Sequence, residues 1–361
     1  MHLVARWARR LLSPSNGAAD AAPSACAAQR PGPVDPVLQA WRPAGGIPRI
    51  SLRWLVSYWC NYRCPYCEQD HDRRAALPVG RRPHAFDNHP VQEWIEGFAR
   101  HFRQRRLVLT LTGGEPLLDS RAMPVFLQAL TSMETLDVVR IGTNASFKPA
   151  LYSKVDLRKI ALMCTFHPSQ VSEERFFRKL DELLDRGFRI AMVNYVMAGD
   201  AIGQFERRRE QLAEKGIPLH PNPLWNSQGA YSPLQIELMC RHLPDLDFRY
   251  RMQIESPRGR KCRFPMLGYQ MDPRGMIHVG CHPKRNGSFF GAELPVLFPH
   301  LSACPQRWCT CLDMYSFLEG EERNQSGDPL WAYREALLRR VAPQSPGGKQ
   351  GEPRGAASRS V

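Results

Sequence analysis

Short apolar runs alternate with amphipathic segments through the middle of the chain. The runs Ile50–Tyr58, Leu107–Thr112, Val138–Gly142, Ile160–Phe166, Phe188–Met197 and Ile217–Pro221 predict six strands. Between them, apolar residues recur at three- and four-residue spacing over Val91–Arg105, Met123–Ser132, Glu173–Arg186 and Gln204–Lys215, which predicts helices with one buried face. The last two are expected to stop at Gly187 and Gly216, because glycine enters the left-handed conformation that ends a helix at little cost. Strand and helix in strict alternation build a parallel sheet, so the fold class is α/β. Six such units make an open, partial (β/α)6 barrel, short of the eight that close a complete one.

The spacing changes after Pro223. A short helix over Pro233–His242 leads into Arg251–Pro299, where strand-like pieces, turns and cysteines replace helical patterns. Tyr269–Gly280 reads as a hairpin around Asp272-Pro273-Arg274-Gly275. A segment so poor in apolar periodicity buries little by itself. Residues 224–320 are therefore expected to form a linker helix and a small Cys-rich module, stapled by metal and packed on a barrel that spans 50–223. A further helix is expected over 321–342. Residues 1–49 and 343–361 read as a disordered leader and tail, and the leader's Arg-rich, acid-poor start also has the composition of a transit peptide.

Composition narrows the function classes. The chain has 361 residues, 43% hydrophobic and 23% charged, with no apolar run of 18, so no membrane span is expected. The net charge of +14 rests on 49 basic residues, 41 of them Arg. These are scattered and lack interleaved aromatics, which argues against nucleic acid and fits an acidic partner equally well, either an anionic substrate or an electron-donor protein. Eleven cysteines are too dilute and too uneven in number for a disulfide scaffold. Cys60, Cys64 and Cys67 form one group and Cys262, Cys281, Cys304, Cys309 and Cys311 another, while Cys26, Cys164 and Cys240 stand alone. Grouped cysteines without an export signal read as metal ligands in a reducing, cytoplasmic compartment. Cys26 is expected to be inert, and Cys164 and Cys240 to be small buried hydrophobes.

The first group lies at the end of the first strand, the end that carries the chemistry in parallel barrels. Its spacing, C-x3-C-x2-C in Cys60-Asn61-Tyr62-Arg63-Cys64-Pro65-Tyr66-Cys67, supplies three thiolates without a fourth nearby. A structural zinc site needs four ligands. A [4Fe–4S] cluster with three keeps one iron open. This segment resembles the cluster loop of the radical S-adenosylmethionine (SAM) enzymes, in which an aromatic residue precedes the last cysteine, here Tyr66, near the adenine of SAM. Gly113-Gly114-Glu115-Pro116, after the second strand, is similar to the family segment that approaches the SAM amino group. Thr143-Asn144 resembles the turn near the ribose, with Ala145 where glycine is usual. The resemblance also implies a SAM contact for Asn194, a polar residue inside an apolar strand. His167, at the end of the fourth strand, is either a proton shuttle or substrate contact, or a satisfied structural group.

The second group resembles the twitch/SPASM-type auxiliary modules of that superfamily, in which a cysteine, a hairpin with a glycine turn and a second cysteine open the site and later cysteines close it. That implies Cys262, Cys281, Cys309 and Cys311 as ligands of one auxiliary [4Fe–4S] cluster, with Cys304 either replacing one of the last two or spare. A structural zinc site is the alternative; His278 and His282 are available to it, although neither is required by the counting. The implied function is reductive cleavage of SAM to a 5′-deoxyadenosyl radical that abstracts hydrogen from a peptide or small molecule, as an oxidoreductase or maturase. The electron would come from a reduced flavodoxin or ferredoxin, and a peptide substrate would call for a separate recognition protein. A two-cluster electron carrier and a zinc-stapled binding module are the rivals from other classes.

Overall fold

A computed structural model describes residues 46–67, 84–119, 121–224, 231–243, 255–307 and 317–318. Six strands, β1 (Arg49–Ser57), β2 (Arg106–Gly113), β3 (Leu136–Thr143), β4 (Ile160–Phe166), β5 (Ile190–Met197) and β6 (Leu219–Pro223), pair in parallel in chain order. Among the described residues four helices of ten or more residues fall between them, α1 (Val91–Phe102), α2 (Ala122–Thr131), α3 (Glu173–Asp185) and α4 (Phe205–Glu214), with a single helical turn at Ala85–Asn88 ahead of α1. A fifth, α5, covers Pro233–His242 and is held at its start by reciprocal capping between Ser232 and Gln235. This is the expected partial barrel.

Strands β5 and β6 each start two residues later than the hydrophobic pattern implies, for one reason. Gly187 and Gly216 take φ values of 82° and 67°, and the next residue bonds back to the helix, Phe188 N–H to Leu183 O and Ile217 N–H to Leu212 O. The apolar residue after the glycine thus closes the helix end before the strand begins.

Alternation sorts each strand into two faces. In β1, Ile50, Leu52, Trp54 and Val56 are buried against the helices, where the Trp54 ring lies 4.4 Å from Trp94, 5.7 Å from Phe98 and 5.4 Å from Phe126. The opposite, concave face carries Arg53, which is in register with Thr110 of β2, itself in register with Arg140 of β3. Further round, Thr165, Asn194 and His220 line up across β4, β5 and β6. The convex side is an apolar core, and the concave side is polar.

Beyond the barrel come β7 (Lys261–Cys262), β8 (Gly268–Met271), β9 (Met276–Val279), β10 (His282–Ser288) and β11 (Ser302–Ala303). The expected hairpin is present as β8 and β9, with Gly275 at φ 79° and the Asp272 carboxylate accepting from the backbone of Arg274 and Met276. Its setting differs from the expectation of a module packed on the barrel. Strand β8 pairs in parallel with β1, Ser51 opposite Gly268, so β8, β9 and β10 extend the same sheet to nine strands. The approach is close enough that a Cβ on Gly268 would sit 2.2 Å from Ser51 O. The free edge of β1 offered unpaired backbone groups, and the hairpin satisfies them.

The chain after β10 then folds back onto the helices. Phe289 is fully buried against Trp94 and Phe98, in space left by Gly97, and its carbonyl bonds to His101 Nε2 at 2.8 Å. Strand β10 itself is mostly exposed and is the last strand on its side of the described sheet. Among the described residues no helix is long and apolar enough to cross a membrane. The expected 321–342 helix, the 343–361 tail and nearly all of the 1–49 leader lie outside the described residues. Phe289→Ala is expected to cost about 3–4 kcal/mol of unfolding free energy by removing the ring that ties the hairpin to α1, read from urea unfolding followed by tryptophan fluorescence.

Candidate functional site

The Cys60–Cys67 loop leaves the end of β1 and is fixed by backbone bonds before any of its cysteines is used. Trp59 N–H donates to Ser57 Oγ at 2.9 Å, Gly114 N–H to Ser57 O at 2.7 Å and Glu115 N–H to Trp59 O at 2.9 Å. The glycines of Gly113-Gly114 are needed for this contact. A Cβ on Gly113 would lie 2.2 Å from Ser57 O and one on Gly114 2.0 Å from Trp59 O, and Gly113 has φ 140°. What comes close to these glycines is the root of the cysteine loop.

Glu115 is the best buried charged group of the site, 1% exposed. Its Oε1 accepts from Thr143 Oγ1 at 2.8 Å and Leu117 N–H at 3.2 Å, and its Oε2 from Asn144 N–H at 2.5 Å. Burial pushes its carboxyl up to about 7, against the lowering pull of those three donors. Pro116, buried beside it, opens the short 3-10 turn that follows. Thr143 Oγ1 also accepts from Ala145 N–H at 3.0 Å, and Ala145 adopts φ 61°, so the turn keeps the left-handed geometry with alanine where the related motif has glycine.

Asn144 joins this turn to the loop. Its Nδ2 lies 2.9 Å from Asn61 Oδ1 and 3.7 Å from Cys60 Sγ, and its Oδ1 accepts from Ser146 N–H. Cys60 Sγ also accepts from Tyr62 N–H at 3.3 Å, and burial pushes its thiol up to about 11. Cys64 is buried, raised for the same reason, and lies 3.5 Å from His167 Nδ1. The His167 ring stacks on Tyr66 at 6.1 Å and meets Tyr62 edge-on at 5.9 Å, and burial pulls it down to about 4, which keeps it neutral at physiological pH. Tyr66 OH accepts from Ser169 Oγ at 3.2 Å.

The loop therefore brings Cys60, Cys64 and Cys67 to one end of the sheet, next to Asn144 and His167. It does not gather three ligands around a point: among the described residues no group of three or more His, Cys, Asp or Glu is placed to hold a metal. Asn194 is 6% exposed on the concave face, and its buried Oδ1 has no hydrogen-bond partner among the described residues. Cys164 is buried as expected. Cys240 is exposed, in contrast to expectation, because Met239 takes the buried face of α5 and the following side chain turns outward.

A cavity of about 490 Å³ opens beside the loop. Tyr62, Asn144 and Gln170 line it with Arg175, Arg178 and Lys179 from the first turns of α3. Lys179 is paired with Glu182 at 2.8 Å. These cations are solvent-facing helix residues in the sequence, and only the placement of α3 against the loop marks them as part of a site.

In the second group, β7 and β11 pair with Cys262 opposite Ser302. Cys304, two residues further on, exchanges backbone bonds with Gly259 and Arg260, so Cys262 and Cys304 are diagonal neighbours on one face of the ribbon, and both are buried. Cys281 Sγ accepts from Gln270 Nε2 at 3.0 Å. His282 bonds to Ser302 Oγ at 3.0 Å. Cys309 and Cys311 lie outside the described residues.

No family model matches the chain. Curated relatives do. A GTP 3′,8-cyclase of Xanthomonas axonopodis pv. citri is 27% identical over 177 residues, 48% of this chain and 49% of that protein. Another, of Hydrogenovibrio crunogenus, is 32% identical over 94 residues, 26% of each chain. GTP 3′,8-cyclases are radical SAM enzymes. Over the matched segments this chain is similar to radical SAM enzymes. It spans about half the length, or less, of the curated relatives it matches. Among solved structures, similar ones are Streptococcus suis SuiB bound to precursor peptide SuiA, with TM-score 0.47 and 13% identity over 67% of this chain and 62% of that one, and anSMEcpe with bound AdoMet, with TM-score 0.47 and 12% identity over 67% and 78%. The cofactors that go with a radical SAM protein are SAM and a [4Fe–4S] cluster.

Because the Glu115 carboxyl ionises at a higher pH in the folded chain than in the unfolded one, it binds more protons folded between about 4.5 and 7. Its contribution to stability is therefore fully present below the unfolded value and is lost as pH rises through about 7. Thermal unfolding of the wild type and Glu115→Gln across this range is expected to show that falling component in the wild type alone. Parallel pH profiles would contradict the assignment.

Proposed function

We propose that the chain is an enzyme that cleaves SAM reductively, with Cys60, Cys64 and Cys67 holding the [4Fe–4S] cluster at the end of β1. The observation that carries this reading is the C-x3-C-x2-C loop itself, rooted at the end of β1 by backbone bonds from Gly114 and Glu115. Cys60, Cys64 and Cys67 would hold such a cluster as a donor set of three soft thiolates, and the cluster would supply the site for the amino acid part of SAM. When bound, the cluster supplies the electron that breaks the SAM sulfur–C5′ bond, which generates a radical able to take hydrogen from an unreactive carbon.

The chain's own residues then divide the remaining work. The Cys60 and Cys64 thiols give up their protons on metal binding, so assembly is favoured at higher pH. Gly113, Gly114, Glu115 and Pro116 hold the loop root in place, and Thr143 and Asn144 fix the adjoining turn, where the ribose would lie. Asn194 Oδ1, buried and without a hydrogen-bond partner among the described residues, offers an acceptor from inside the barrel. Tyr66, half-buried over His167, offers a ring face for the adenine. Arg175 and Arg178 add positive charge at the cavity for a carboxylate.

Residues 50–223 act in this reading as the barrel, and 224–320 carry one auxiliary cluster on Cys262 and Cys281, completed from Cys304, Cys309 and Cys311. The diagonal placement of Cys304 and Cys262 favours Cys304 as one of the ligands. The substrate is a peptide or small molecule, and the net charge of +14 suits an acidic reduced flavodoxin or ferredoxin as electron donor.

Anaerobically reconstituted protein with reductant and SAM is expected to form 5′-deoxyadenosine. Cys64→Ala is expected to abolish it, whereas Cys281→Ala keeps part of the cleavage and loses substrate turnover. Equal 5′-deoxyadenosine from the wild type and Cys64→Ala, or zinc in place of iron at the loop, would remove the catalytic assignment.

A further inference from the structure

We propose that the cavity beside α3 is the docking point for an acidic electron-donor protein, with Arg175 and Arg178 receiving its carboxylates, an inference that rests on the reading of the cysteine loop above. Other cations of this region already have a carboxylate. Lys179 and Arg186 pair with Glu182, Arg207 and Arg208 with Glu173, Arg209 with Glu206, and Lys215 with Asp181. Arg175 and Arg178 are exposed, and among the described residues neither makes an ion pair. They stand three residues apart on α3 and both line the cavity, so one face of the helix presents two guanidinium groups to whatever enters.

The cavity lies outside the barrel. Phe176, which packs against Phe166 at 5.3 Å on the convex side, lines it, whereas the concave-face residues Arg53, Thr110, Arg140, Asn194 and His220 do not. Its other wall is the cysteine loop, because Asn61 and Tyr62 fall between Cys60 and Cys64. That wall is fastened in place. Asn61 Nδ2 donates to Ser146 Oγ at 3.0 Å, Asn61 Oδ1 accepts from Asn144 Nδ2 at 2.9 Å, and Gln170 Oε1 accepts from Arg63 N–H at 2.7 Å.

Position selects the occupant. A substrate has to enter the concave chamber to lose hydrogen, whereas an electron donor needs only to reach the loop from outside. The donor is oxidised by one electron and the site at the loop is reduced by one, with no bond formed or broken. A net charge of +14 draws an acidic protein from a distance, and two exposed arginines beside the loop fix its orientation on arrival. Arginine suits the task, since its planar fork meets a carboxylate with two parallel hydrogen bonds. The carboxylates that these two residues meet are thus a partner's. A small, charged contact of this kind also lets a carrier leave after each electron.

The test measures binding of a purified acidic flavodoxin to the full chain by titration calorimetry, beside SAM cleavage by the wild type with a chemical reductant. Binding is expected to weaken with rising salt. Arg175→Glu with Arg178→Glu is expected to weaken it about 10-fold, because attraction becomes repulsion at the contact. Arg175→Gln with Arg178→Gln is expected to fall between, and it keeps the test open if the reversed protein folds poorly. Arg103→Glu with Arg105→Glu changes the net charge equally at the far end of α1, next to the start of β2, and is expected to bind as the wild type does. Equal binding by the wild type and both Arg175/Arg178 variants, or equal weakening by the α1 variant, overturns the docking site while cleavage with the chemical reductant leaves the enzymatic reading standing. Thermal stabilisation by citrate that the reversal abolishes, with no flavodoxin bound, makes the cavity a small-anion site and overturns docking. A wild type that binds flavodoxin through these arginines yet cleaves no SAM with the chemical reductant removes the enzymatic reading, and the electron-donor role with it.

Discussion

A carboxylate with no cation beside it among the described residues holds the working end of this sheet together. Glu115 leaves β2, and its two oxygens take the hydroxyl of Thr143, the N–H of Asn144 and the N–H of Leu117, while its own N–H bonds to the carbonyl of Trp59. One side chain and one peptide group therefore fix the ends of three neighbouring strands, β1, β2 and β3. Burial makes the arrangement demanding, because each of those donors would cost more unsatisfied in the interior than it gains when paired. The cysteine loop, the Asn144 turn and the cavity beside α3 all inherit their positions from it.

The two faces of the sheet carry different duties. The convex side is a close-packed aromatic and aliphatic layer around Trp54, Trp94, Phe98 and Phe289. The concave side spends its burial on Arg53, Thr110, Arg140, Asn194 and His220, groups that gain little from apolar packing. A sheet that seeks stability alone has no need of such a row. Polar residues facing a chamber fit a protein that receives a polar ligand there.

Much of this was legible in the sequence because period-2 and period-3.6 patterns mark strands and helices whatever surrounds them. The six barrel strands and the β8–β9 hairpin fall where those patterns put them, and the errors at β5 and β6 come from apolar residues that serve the end of a helix first. Partner choice was less legible. Nothing in Gly268–Met271 by itself says that β8 bonds to β1, since that depends on which edge remains open after six strands have paired. Gly113 and Gly114 signal a close approach but not what approaches, and Arg175 and Arg178 resemble any solvated helix face until α3 is set against the loop. Cys304 became interesting only through its register opposite Gly259 and Arg260.

An open sheet has ends, and β10 forms one of them. Its exposed run His282–Ser288 includes Lys284 and Arg285, and the Arg285 guanidinium lies 4.3 Å from the Phe298 ring. A second molecule aligning its own β10 there would bring like charges face to face and strip them of water. The fold thus carries a built-in deterrent to edge-on self-association at the margin where nine strands stop.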